Sequence, residues 1–128
     1  MKFKSKAITI HDEEWLSEIT FSEHQDLGSE TVNMSIDEIV ESTGRYLLLQ
    51  HSYPEDDFDT HNYHFETSDY FFDGNLVEYE MVLSRTHFEF KTLNRSVLIS
   101  INPSDEKFAL LKKILPLLTN GNGKLVIS

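Results

Sequence analysis

Alternation of apolar and polar residues is clearest between positions 77 and 101. Val77, Tyr79, Met81 and Leu83 alternate with Glu78, Glu80, Val82 and Ser84. Phe88 and Phe90 alternate with His87, Glu89 and Lys91, and Val97, Ile99 and Ile101 with Leu98 and Ser100. A period of two over these lengths marks strands with one buried face. A reversal at Arg85-Thr86 sets Leu83 opposite Phe88, Met81 opposite Phe90 and Glu80 opposite Lys91. A second reversal at Asn94-Arg95 sets Phe90 opposite Ile99 and Phe88 opposite Ile101. A slip of one residue would turn the apolar row to solvent, so a three-stranded antiparallel meander is expected.

The pattern then lengthens to a helical period. Phe108, Leu111, Leu115 and Leu118 form a stripe, widened by Leu110, Ile114 and Leu117, which predicts a helix over 104–119. Asn102 suits its N-cap, Pro103 its first position, and Asp105 the positive end of its dipole. Pro116 removes a backbone donor and would kink the last turns or split them off as a second short helix. Asn120-Gly121-Asn122-Gly123 ends the helix before a final strand over 124–127.

Earlier elements are shorter. Residues 2–10 predict a strand with Lys2, Lys4 and Lys6 outward, and residues 14–21 its hairpin partner. Trp15 belongs to the core or its edge, or anchors an interface. Polar residues 22–30 predict a loop, and Ser35-Ile36-Asp37-Glu38 starts a small helix carrying Ile36, Ile39 and Val40. A strand over 46–50 has the run Leu47-Leu48-Leu49, which suits a central position. Residues 52–60 form the main loop, Tyr63 and Phe65 alternate in a following strand, and Asp73-Gly74-Asn75 predicts a turn. The fold class is α+β in one domain of 128 residues: a mostly antiparallel sheet packed by the long C-terminal helix and the smaller helix.

Charge changes this picture more than composition does. The net charge is −11, yet from Asp12 to Glu80 there are nineteen acidic residues and one basic residue, Arg45, while the flanking stretches are net basic. Such a field repels phosphate backbones and favours encounter with a basic protein surface. It therefore argues against direct nucleic-acid binding. The chain has no cysteine, which excludes disulfides, thiol catalysis and cysteine metal sites. No apolar run is long enough for a membrane span, and the basic first residues lack a following apolar signal segment, so a cytoplasmic location is expected.

Candidate chemistry gathers between residues 51 and 73. His51, His61 and His64 with Asp56, Asp57, Asp59 or Glu66 would suit a metal or small ligand if they converged. On a strand, however, positions 61 and 64 face opposite ways, so no metal or cofactor is assigned. No G-x-S-x-G elbow, phosphate-binding glycine loop or H-E-x-x-H motif occurs, and no catalytic residue is assigned. The better reading is a partner-binding set of Glu55, Asp56, Asp57, Phe58, Asp59, Tyr63, Glu66, Asp69, Tyr70 and Asp73. Its carboxylates would steer a basic protein and its aromatics would anchor it. Homodimerisation through Trp15 or the aromatics at 70–72 is the alternative use of the exposed surface.

The length, the acidity and the strand series at 46–50, 62–67, 76–83 and 87–92 resemble immunity protein family 10 of bacterial polymorphic-toxin systems, over roughly residues 45–127. That resemblance implies a small intracellular α+β protein that protects its producer by binding a cognate toxin, not by catalysis. Where the toxin is a nuclease, an acidic surface would occupy its basic nucleic-acid site. The function expected from the sequence is thus stoichiometric inhibition of a basic protein.

Overall fold

A computed structural model describes residues 1–23, 44–54, 60–69, 72–93, 95–119 and 123–127. Where one sheet was expected there are two of five strands each, packed face to face. The strands are β1 (Lys2–Lys4), β2 (Ala7–Glu13), β3 (Leu16–Ser22), β4 (Tyr46–Ser52), β5 (Asn62–Thr67), β6 (Asp73–Asn75), β7 (Glu80–Leu83), β8 (His87–Lys91) and β9 (Ser96–Ser100). Helix α1 (Asp105–Ile114), a 3₁₀ turn (Leu115–Leu118) and β10 (Lys124–Ile127) follow. The first sheet has the order β1-β9-β8-β7-β10, and the second β2-β3-β4-β5-β6. The protein is mixed α+β, with mostly strands and a single α-helix among the described residues.

The expected strand over 2–10 is divided because its halves find different partners. The Ser5 amide donates to the Ser100 carbonyl in the first sheet, and the Lys6 amide to the Ser22 carbonyl in the second. Buried Ser5 secures the crossing by donating its hydroxyl to the Ala7 and Ser22 carbonyls, at 2.8 and 3.2 Å. The expected hairpin of β2 and β3 is present, antiparallel from Ala7↔Ser22 to Glu13↔Leu16. Strand β4 is central in its sheet, as the leucine run suggests, with Leu47 and Leu49 inward and Leu48 on the opposite face.

In the first sheet the β7–β8 register is the expected one, Leu83↔Phe88 and Met81↔Phe90. The β8–β9 register differs, with Phe88↔Ile99 and Phe90↔Val97. The Thr92 amide donates to the Arg95 carbonyl at 2.8 Å, so the chain reverses earlier and the pairing slides by two residues. An even slip keeps the same side chains inward, which is why periodicity alone could not exclude it. Strand β7 begins only at Glu80: Tyr79 is buried, but Val77 is 59% exposed. Strands β1 and β10 pair in parallel with β9 and β7. Gly123 leads into β10 beneath the Tyr79 ring, where a Cβ atom would collide with the aromatic carbons.

One contiguous core joins the sheets. Phe21 stacks on Phe88 with centroids 4.7 Å apart, and Phe65 meets Phe90 at 5.0 Å. The helix is shorter than expected. Ser104 is its N-cap, in extended conformation with its hydroxyl accepting from the Lys107 amide at 3.1 Å, so Asn102 and Pro103 precede the helix. Pro116 coincides with the change from α1 to the 3₁₀ turn, as its missing amide dictates. Phe108, Leu111, Ile114, Leu115 and Leu118 are buried against β2, β3 and β4, while Leu110 and Leu117 are exposed. Of the loop expected at 22–30, Ser22 instead ends β3; residues 24–30 and the small helix expected at 36–43 lie outside the described residues.

Candidate partner-binding face

Because strand side chains alternate between faces, the registers of the second sheet define its outward surface. Ile19, Phe21, Leu47, Leu49 and Phe65 point to the core. Their neighbours build outward rows across the strands: His11–Glu18–Gln50–His64–Asn75 and Thr9–Thr20–Leu48–Glu66–Asp73. Glu13 and Leu16 continue this face toward the β2–β3 turn. Glu13, Glu18, Glu66 and Asp73 thus share one face, and no lysine or arginine occupies any of its outward strand positions.

Two observations describe the electrostatics there. Glu66 lies directly opposite Asp73, a like-charge cross-strand pair that opposes folding. The Tyr46 hydroxyl is held above the usual phenol range by burial first, and then by the Glu66 and Asp73 carboxylates; it donates to Glu66. Tyr46 is therefore a neutral donor within an acidic field. The sole cation of the acid-rich stretch, Arg45, is engaged beside this face. Its guanidinium grips Glu23 at 2.7 and 3.1 Å and donates to the Lys2 carbonyl at 2.6 Å.

The sequence-derived binding set is divided by the fold. Glu66 and Asp73 join the acidic face. Tyr63 turns inward and stacks on His51 at 4.1 Å. Asp69 pairs with Arg95, whose guanidinium also lies 4.6 Å over the Phe72 ring. Glu55, Asp56, Asp57, Phe58, Asp59 and Tyr70 lie outside the described residues. Asp73-Gly74-Asn75 is edge strand β6 rather than a turn, since its residues pair with β5. Trp15 is not a core residue: it sits at the β2–β3 turn, 45% exposed, between Glu14 and Leu16. Glu18 and Tyr46 were missed as site residues. Their strand parity, opposite to Ile19 and Leu47, is the signal that places them on the outward face.

The histidines part company as well. His51, 5% exposed, ends the inward row of β4, with Nδ1 2.6 Å from the Leu117 carbonyl and Nε2 2.8 Å from His61 Nδ1. A carbonyl only accepts, so His51 carries its proton on Nδ1 and, when neutral, accepts at Nε2 from His61. Tyr53 and Tyr63 flank the ring at 4.2 and 4.1 Å. Burial draws His51 below the usual imidazole range, the Leu117 carbonyl opposes this, and His61 reinforces it. His64 pairs with Gln50 and projects from the other face of the sheet. Among the described residues no three histidine or carboxylate groups are gathered as a metal site.

No protein-family model, curated protein or solved structure matches this chain. No helix among the described residues is long and apolar enough to cross a membrane.

Proposed function

We propose that the protein is a stoichiometric inhibitor that binds a basic protein partner through the outward face of its second sheet. The observation that carries this reading is that Glu13, Glu18, Glu66 and Asp73 share an outward face whose strand positions hold no cation. Fixing Glu66 against Asp73 costs stability in the free protein, and a lysine or arginine from a partner would relieve that cost on binding. Tyr46 and Leu48, half-buried on the same face, supply apolar contact within the charged rim. Sequence resemblance to immunity protein family 10 points to the same class of partner, a toxin or nuclease domain with a basic active surface. In that role the protein works by occupying the partner's site rather than by catalysis.

Affinity capture from the producing cell at low and high salt tests this, comparing the wild type with a Glu18→Lys/Glu66→Lys variant. One basic protein held in stoichiometric amount and released by salt is expected. The variant should associate at least about tenfold more slowly, because charge pairs govern encounter rates. Equal association by a folded variant would refute the role of this face.

A further inference from the structure

A groove opens along the edge of the second sheet. It holds about 400 Å³, with Phe65 and Phe72 among its lining and Val77 and Leu93 beside them. Val77 is 59% and Leu93 81% exposed, so two solvent-facing aliphatics line the groove together with the buried aromatics. All three residues of β6 line the same groove. Strand β6 is the last in its sheet, and no described strand pairs with its outer edge. Such an edge is a template for another extended chain.

Gly74 shows what is missing. It lies opposite Phe65 in the inward register, and the space that a side chain at this position would enter is empty. Its φ of 145° is one that L side chains rarely adopt, so a larger residue could not fill the gap without strain. The groove is rimmed by exposed Asp73 and Glu78, and its cation, Arg95, is already engaged with Asp69 and the Phe72 ring. A second copy of this chain would bring the same carboxylates against themselves. Asp73 belongs both to the groove's lining and to the acidic face.

We infer that this groove receives an extended segment of the basic protein partner. The segment pairs with the outer edge of β6, lowers an apolar side chain onto Phe65 and Phe72, and sets lysine or arginine beside Asp73 and Glu78. The inference rests on the protein-binding reading above and adds to it how the partner is held.

The test titrates the full-length protein with a capped seven-residue peptide of alternating valine and lysine, followed by NMR. Two analogues, each N-methylated along one edge, accompany it. Shifts are expected at Gly74, Val77 and Leu93, and one of the two analogues should lose about tenfold or more in affinity because its edge can no longer donate. Val77→Ser and Leu93→Ser replace exposed side chains and leave the core untouched; each should weaken the parent peptide by a similar factor. Unchanged affinity in both analogues, or in both variants, overturns the groove. Shifts confined to Glu18 and Glu66 overturn it while leaving the acidic-face reading intact. A dimer dissociated by Leu93→Ser would assign the groove to a second copy and overturn it also. Conversely, normal capture by the Glu18→Lys/Glu66→Lys variant together with peptide binding in the groove refutes the acidic face alone.

Discussion

The two outward faces of this protein share one construction and differ in chemistry. On the first sheet, Lys124, Glu80 and Lys91 alternate in sign across β10, β7 and β8, and Lys91 lies 3.0 Å from Glu89. Lys2 and Lys4 extend that face, so its charges are matched or positive. On the second sheet, Glu66 meets Asp73 across β5 and β6 with no cation in the strand rows. One face sets opposite charges beside each other and the other sets like charges together. Cross-strand pairing selects opposite charges where stability is the only demand. The like-charged pair Glu66–Asp73 is the feature on which the proposed binding role rests.

Phe90 tests most severely whether both sheets belong to one folding unit. It is fully buried on β8 against Phe65 of the second sheet and Phe72, which precedes β6. Phe90→Ala should cost about 3–5 kcal/mol. Denaturation followed by strand circular dichroism and by Trp15 fluorescence should show a single transition, shifted equally in both signals. Two separated transitions would show that the sheets unfold independently.

A smaller effect should come from the inward rows, where the second sheet ends in His51 and the first in Ile101. A histidine held below its unfolded value of 6.5 leaves the folded state binding fewer protons than the unfolded chain. Stability is then complete above pH 6.5 and declines as pH falls toward the lowered folded value. The groups facing His51 are His61, Tyr53, Tyr63 and the Leu117 carbonyl of the 3₁₀ turn. His51→Asn should lower stability at pH 7.5 and flatten the loss between pH 6.5 and 5, read as unfolding free energy across that range. An unchanged slope would remove His51 as the source.

The mildest pair of changes should have opposite signs. Asp73→Asn removes the repulsion with Glu66 and should stabilise the protein by about half a kcal/mol at low salt. Lys91→Gln removes the cation between Glu80 and Glu89 and should destabilise it. Salt should diminish both effects, because exposed charges are screened. Matching signs in thermal denaturation would show that the two faces do not differ as described.

Much of this contrast was legible in the chain. Alternation located β3, β5, β8 and β9, the β7–β8 register, and the inward rows of Phe88, Phe90, Val97 and Ile99, since burial on one face imposes a period of two; the leucine run located β4. The charge division was legible too, and the fold explains it. Strands β2 to β6 are consecutive in the chain, so the acid-rich stretch supplies one sheet, while both flanking stretches supply the other. Long-range pairing was not legible. Residues 2–10 have a continuous strand pattern, and only the competing carbonyls of Ser100 and Ser22 divide them between sheets. The β8–β9 slip preserves parity, so local pattern could not detect it. Among the candidate residues, alternation separates Tyr63 from Glu66, but Asp69 is taken by Arg95, distant in sequence, and His61 meets the His51 ring at 2.8 Å, which no local pattern shows. Side-chain periodicity is a property of neighbouring residues and is written in the chain; which carbonyl an amide finds, and which carboxylate a guanidinium reaches, is decided only when distant segments compete for the same partners.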